Sequence, residues 1–139
     1  MAVSPQVARL QRRIEAIPQE VRKAVLPALE RSGEELADTM RTLAPEDEGD
    51  LKASIAVTLP GESTPAYSQP GGARIAGELE VLVTAGNSEV RYPHLQEYGT
   101  ARHDAQPFFW PAVRLLQKKV KNRTKRAVAK AVRDYWRRT

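Results

Sequence analysis

The chain of 139 residues predicts an α+β fold: a short antiparallel sheet packed by long N-terminal and C-terminal helices in a single domain. Three observations predict it. Apolar residues recur three and four apart over the first third of the chain, alternate with polar ones in the middle, and return to the helical period from Pro111 to the end. At this length one domain buries about two thirds of its unfolded surface, so no disulfide or metal staple is needed.

Val7, Leu10, Ile14 and Ile17 carry the helical period over 5–17. Pro18 opens a second helix, proline being tolerated in a first turn. Its apolar stripe is Val21, Val25, Leu29, Leu36, Met40 and Leu43, which predicts about 25 helical residues with a defect at Pro27, where a backbone donor is missing. Acids at 46, 47, 48 and 50 around Gly49 then mark a turn with a single helical turn, and Leu51, Ile55, Val57 and Leu59 lead into a strand at about 53–59. A second strand is read from GELEVLVTAG, where Leu79, Val81 and Val83 alternate with Glu80, Leu82 and Thr84. Between the strands the Pro-, Gly- and Ser-rich segment at about 60–77 predicts a flexible loop or extended hairpin, long enough to suggest function. A third short strand is expected at about 89–92, after the Gly86-Asn87 turn.

The last helix is predicted over about 111–137, with Val113, Leu116, Val120, Ala127, Ala131 and Tyr135 on one face. Such a helix is about 40 Å long, against a radius of gyration of about 14 Å for a compact chain of this size. Its outer end is therefore expected to protrude or meet a partner. It also concentrates the charge. From Pro111 onward there are 11 Lys or Arg against one acid, Asp134, whereas residues 1–110 hold 11 bases and 16 acids. The net charge of +5 is thus a local basic surface on an acidic body, suited to nucleic acid or to an acidic face of another copy.

Several chemistries are excluded or disfavoured. There is no cysteine, hence no disulfide, thiolate metal site or cysteine nucleophile. No signal-like or membrane-length apolar run occurs, so no membrane association is expected. His94 and His103 lie nine apart, and only His94 with Glu97 has the spacing by which two ligands share a helical face. The EDEGD cluster fails the EF-hand pattern, because Leu51 and Val57 fall where glycine and glutamate are required. No GxSxG elbow is present, and Pro70-Gly71-Gly72 is not followed by a phosphate-loop GK[ST]. An enzyme is not indicated, and no cofactor is expected.

One stretch, YPHLQEYGTARHDAQPFFWPA at 92–112, holds five of the eight aromatic residues, both histidines and three prolines. Pro93 forces Tyr92 into extended backbone, Leu95 and Tyr98 share one side of a short helical turn, and Gly99 suits its left-handed end. Phe108, Phe109 and Trp110 cannot all point to one side, so at least one faces away from the local core. The stretch reads as a structural turn into the last helix that presents part of an interface.

Three ordered motifs now carry a resemblance: GDLKASI at 49–55, YPHLQEYGT at 92–100 and QPFFWPA at 106–112, followed by a long charged helix. Together they resemble the tailed-bacteriophage family of head–tail joining and tail-completion proteins typified by the gene-ten product of a lambda-like phage, over roughly residues 20–130. Gly49, Leu51, Ser54 and Ile55 match its first motif, Tyr92, Glu97, Gly99 and Thr100 its second, and Pro107, Phe108, Pro111 and Ala112 its third. The resemblance implies scaffold and interface roles for these positions and no catalytic residue. It implies a virion protein, made in the host cytoplasm and assembled at the neck or top of the tail as a homo-oligomeric ring, hexameric in the tail context. Adjacent neck and tail-tube proteins would be its partners, with double-stranded DNA close by in the channel. The alternative is a DNA-binding protein acting through the basic helix, with Lys118, Lys119, Lys121, Arg123, Lys125 and Arg126 as the partner or DNA contacts. The insertion at 60–77 departs from the family pattern.

Overall fold

A computed structural model describes residues 4–15, 18–45, 49–90, 93–101 and 104–138. It contains helices α1 (Pro5–Glu15), α2 (Gln19–Leu43) and α3 (Gly49–Ala53), strands β1 (Ala56–Thr58) and β2 (Leu82–Thr84), and helices α4 (Pro93–Tyr98) and α5 (Phe109–Arg138). Helices at both ends and a two-stranded antiparallel sheet between them make the fold α+β. Ile17, Tyr92, His103 and the acids at 46–48 lie outside the described residues, as do the side chains of Ile14, His94 and Leu95.

Local chemistry sets most boundaries. Ser4 caps α1, its Oγ accepting from the Val7 amide at 3.2 Å, with Pro5 in the first turn. Helix α2 follows Pro18, whose carbonyl accepts from Val21 and Arg22, and runs its 25 residues through exposed Pro27 without dividing. It stops at Ala44 because the residue before Pro45 is forced out of helical backbone, and Ala44 is extended at φ −66°, ψ 146°.

Helix α2 is the central element, packing on α5 along one side and on both strands along another. Residues near its C-terminal end, Ala37 and Met40, are buried with Phe109 and Ala112 from the start of α5, whereas Val21 and Val25 near its N-terminal end meet Ala131 and Tyr135. The two helices are therefore antiparallel. Every residue of the predicted α5 stripe is buried or half-buried. At 30 residues α5 is about 45 Å long, yet it does not protrude for most of that length, because α2 underlies it as far as Tyr135.

The sheet pairs Ala56 with Thr84, Val57 with Val83 and Thr58 with Leu82. Gly33 of α2 faces it: a Cβ there would sit 2.8 Å from Val81 Cγ1 and 3.2 Å from Val57 Cγ1, so only glycine lets helix and sheet approach this closely. The second strand is shorter than its alternation suggested. Its first half is a turn, held by the Glu80 carboxylate, which accepts from the Gly77 amide and pairs with Arg74.

The segment 60–77 is not structureless. It forms a narrow arch with bonds from Gly61 to Ala76, Ala76 to Glu62 and Thr64 to Arg74, at 2.8–2.9 Å. Its tip folds back onto the sheet through a two-bond exchange between Gln69 and Ala85, which buries Thr64 and Ser68 and leaves Tyr67 and Ile75 exposed. The expected third strand is absent where it is described. Asn87 Oδ1 accepts from the amides of Glu89 and Val90, and Asn87 N–H donates to Val90 O, so side-chain chemistry closes a turn in place of a ladder.

Candidate functional site

The motif residues converge on one junction. From the first motif, Leu51, Ser54 and Ile55 are buried in the main core, with Leu51 fully enclosed. Ser54 Oγ donates to Leu51 O at 2.6 Å and accepts from the Gly86 amide at 3.0 Å, tying the end of α3 to the end of β2. Gly86 is required there: its φ is +96°, and a Cβ would lie 2.9 Å from both Pro93 Cγ and Val90 O. Gly49 opens α3 in an exposed position where a Cβ would touch nothing, so the fold of one copy makes no steric demand on it.

The second motif supplies the junction's key polar group. Glu97, on α4, is buried, and its carboxylate accepts three backbone N–H groups from the start of α5: Phe108 at 2.8 Å and Phe109 at 2.9 Å on Oε1, Trp110 at 3.0 Å on Oε2. A helix beginning at Phe109 leaves four N–H groups without a partner, on residues 108 to 111. Glu97 takes three, and Pro111 has none to offer. The second and third motifs thus form one device, a carboxylate on the positive end of a helix whose fourth orphan is deleted by proline.

Around the cap the third motif divides as its three rings require. Phe108 and Phe109 are buried, edge-on to each other at 6.4 Å, whereas Trp110 turns outward at 39% exposure. Trp110 Nε1 donates to Tyr98 Oη at 2.8 Å, so two exposed rings are fixed relative to each other. Ala112 is fully buried, Pro107 is exposed and Pro111 half-buried. Gly99 ends α4 at φ +77°, the left-handed conformation its position implied, and Thr100 is exposed. Between this junction and the arch tip lies a crevice of about 80 Å³, walled by Gln69, Pro70, Pro93, Tyr98 and Trp110.

The basic helix divides into two rows. Lys119 and Arg123 face α2: the Glu35 carboxylate holds Lys119 Nζ and Arg123 Nη2, each at 2.6 Å, and Arg123 Nη1 donates to Ser32 Oγ at 3.0 Å. Hydrogen bonds from Lys119 and then Arg123 hold the Glu35 carboxyl below its ordinary value. Lys118, Lys121, Lys125 and Arg126 are exposed. Glu35 carried no motif and was not singled out from the sequence; its signal is that it shares α2 with Ser32 on the side facing the bases of α5. Among the described residues no group of three or more His, Asp or Glu is placed to hold a metal ion, and no helix is long and apolar enough to cross a membrane.

Residues 8–99 match the family described as "Bacteriophage HK97-gp10, putative tail-component". The matched region contains the first motif and all of the second but Thr100, and ends before the third, so PFFWPA and α5 lie beyond it. No curated protein and no solved structure matches the chain. With about two thirds of its length in the match, carrying the buried Leu51, Ser54 and Glu97, the chain belongs to the HK97-gp10-like family of bacteriophage tail components.

Proposed function

We propose that this protein completes or terminates a phage tail by assembling as a ring at the head–tail junction, hexameric in the tail context. Membership of a tail-component family makes it a structural part of the virion that meets other tail proteins. The ring and its place at the neck are the further step. The observation that carries it is the segregation of charge: a body with an excess of acids and one long helix holding half of all the bases. A subunit with opposite charges on different faces is suited to head-to-tail contacts, and such contacts close into a ring where the rotation between neighbours divides a full turn. The arch at 60–77, with Tyr67 and Ile75 exposed, and the outward Trp110 would meet neighbouring subunits or the tube.

The test is removal of the protein from particle assembly. Separated heads and tails, rejoined when the purified protein is added back, are the expected result; fully joined, infectious particles without it would refute the junction role. A second reading, DNA binding through α5, is favoured by the exposed bases Lys118, Lys121, Lys125 and Arg126. Reversing Lys118, Lys121 and Lys125 would then lower DNA retention while leaving heads and tails joined, and binding to free duplex would fall steeply with salt.

A further inference from the structure

We infer that neighbouring copies join by laying the exposed basic row of α5 along an exposed acidic row of α2 in the next copy. The inference rests on the ring reading and names its contact. On α5, Arg114, Lys118, Lys121 and Lys125 are spaced four, three and four apart, which at 100° per residue puts them within one sector about 60° wide. All four are exposed, and none has an ion-pair partner among the described residues. On α2, Glu30, Glu34 and Asp38 are spaced four apart and are exposed. Glu30 and Glu34 have no ion-pair partner among the described residues, and Asp38 has only the neighbouring Arg41, at 2.9 Å on the surface.

The two rows match in pitch. Glu30 to Asp38 spans eight residues, about 12 Å, and Lys118 to Lys125 spans seven, about 10.5 Å. They cannot satisfy each other within one copy. The acid that meets α5 internally is Glu35, and the bases it meets, Lys119 and Arg123, lie on the side of α5 opposite the basic row. Each subunit thus carries one complete acidic row and one complete basic row on different faces, which is the requirement for a head-to-tail contact.

Direction follows from the neighbours of the two rows. With the helices antiparallel, Lys125 meets Glu30, Lys121 meets Glu34, and exposed Val128 comes over exposed Pro27, an apolar step continuing the charged one. With the helices parallel, Val128 would meet Arg41 in place of Pro27. Exposed ion pairs are individually weak, so the rows set register and approach, while Val128, Val132 and Pro27 exclude water at one end.

The experiment is a charge swap in the full chain, read by sedimentation at about 0.1 M and about 1 M salt, where the screening length is about 10 Å and about 3 Å. Glu30→Lys with Glu34→Lys, and separately Lys121→Glu with Lys125→Glu, should each weaken self-association about tenfold or more at low salt. An equal mixture of the two variants should recover it, because each then offers the other a complementary row; a misfolded chain could not give that recovery. If the wild type forms rings and both variants form them equally well, this contact is wrong and the ring reading stands. If the wild type stays monomeric at low salt with its tail partners present, both fail. If only Lys121→Glu with Lys125→Glu has an effect, and the effect is lost binding to a duplex DNA fragment with association intact, the basic row belongs to DNA and the inference is overturned.

Discussion

The two ends of α5 are held by different kinds of force. At its start, Phe108, Phe109 and Ala112 are buried with Met40, Leu51 and Ile55, and the Glu97 carboxylate satisfies the first turn from another helix. Towards its finish the buried group among the described residues is Val21, Val25 and Ala131, with Leu29, Leu79 and Tyr135 packed beside it. One helix is thus anchored by large buried rings and a paired first turn at its start, and further along it lies on α2 through a smaller buried apolar group and the Glu35 ion pairs. The difference teaches where the larger buried contacts are placed: the junction fixes the outward Trp110 and Tyr98 relative to each other, while the far end rests on a smaller buried group.

That comparison can be broken most directly at Phe108. Its ring is essentially fully enclosed, so Phe108→Ala should cost about 3–5 kcal/mol by chemical denaturation; a loss under about 1 kcal/mol would mean the junction is not the anchor. Glu97→Ala comes next, at about 3 kcal/mol, since it strands three N–H groups at a buried helix start. Glu97→Gln should fall between it and the wild type, keeping an acceptor and losing the charge. At the other end, Val25→Ala should cost about 2 kcal/mol, and hydrogen exchange should quicken at 127–135 before it does at 112–120. Equal quickening along all of α5 would erase the distinction.

The smallest effect concerns pH. The Glu35 carboxyl is held below its ordinary value of 4.5 by Lys119 and Arg123. A carboxyl depressed in the folded state binds fewer protons there than in the unfolded chain, so its stabilisation is complete above the ordinary value. It is lost as pH falls through the lower folded one. Glu35→Gln should therefore cost under about 1 kcal/mol at neutral pH and nothing in strong acid, measured as the difference between two urea titrations. A cost that persists in strong acid would assign the role of Glu35 to packing.

Much of this was legible from the chain. The stripe of α5 from Val113 to Tyr135, the 25-residue length of α2, the left-handed Gly99 and the outward turn of one ring in PFFW all follow from local sterics and a 3.6-residue period. Those forces act within a few residues and leave their mark in the order of amino acids. The sequence likewise determined the segregation of charge onto the last helix, because composition is independent of folding.

Only the tertiary structure decided which bases are already spoken for, since Lys119 and Arg123 differ from Lys118 and Lys121 solely in facing Glu35. It also decided that the middle segment is a closed arch, that Asn87 makes a turn in place of a strand, and that Gly33 sits where α2 presses on the sheet. Each depends on a partner distant in the chain or on a side chain competing with the backbone for the same hydrogen bond. Glu97 belongs with them. Its motif marked it, but its work on three amides 11 to 13 residues away exists only once α4 and α5 have met.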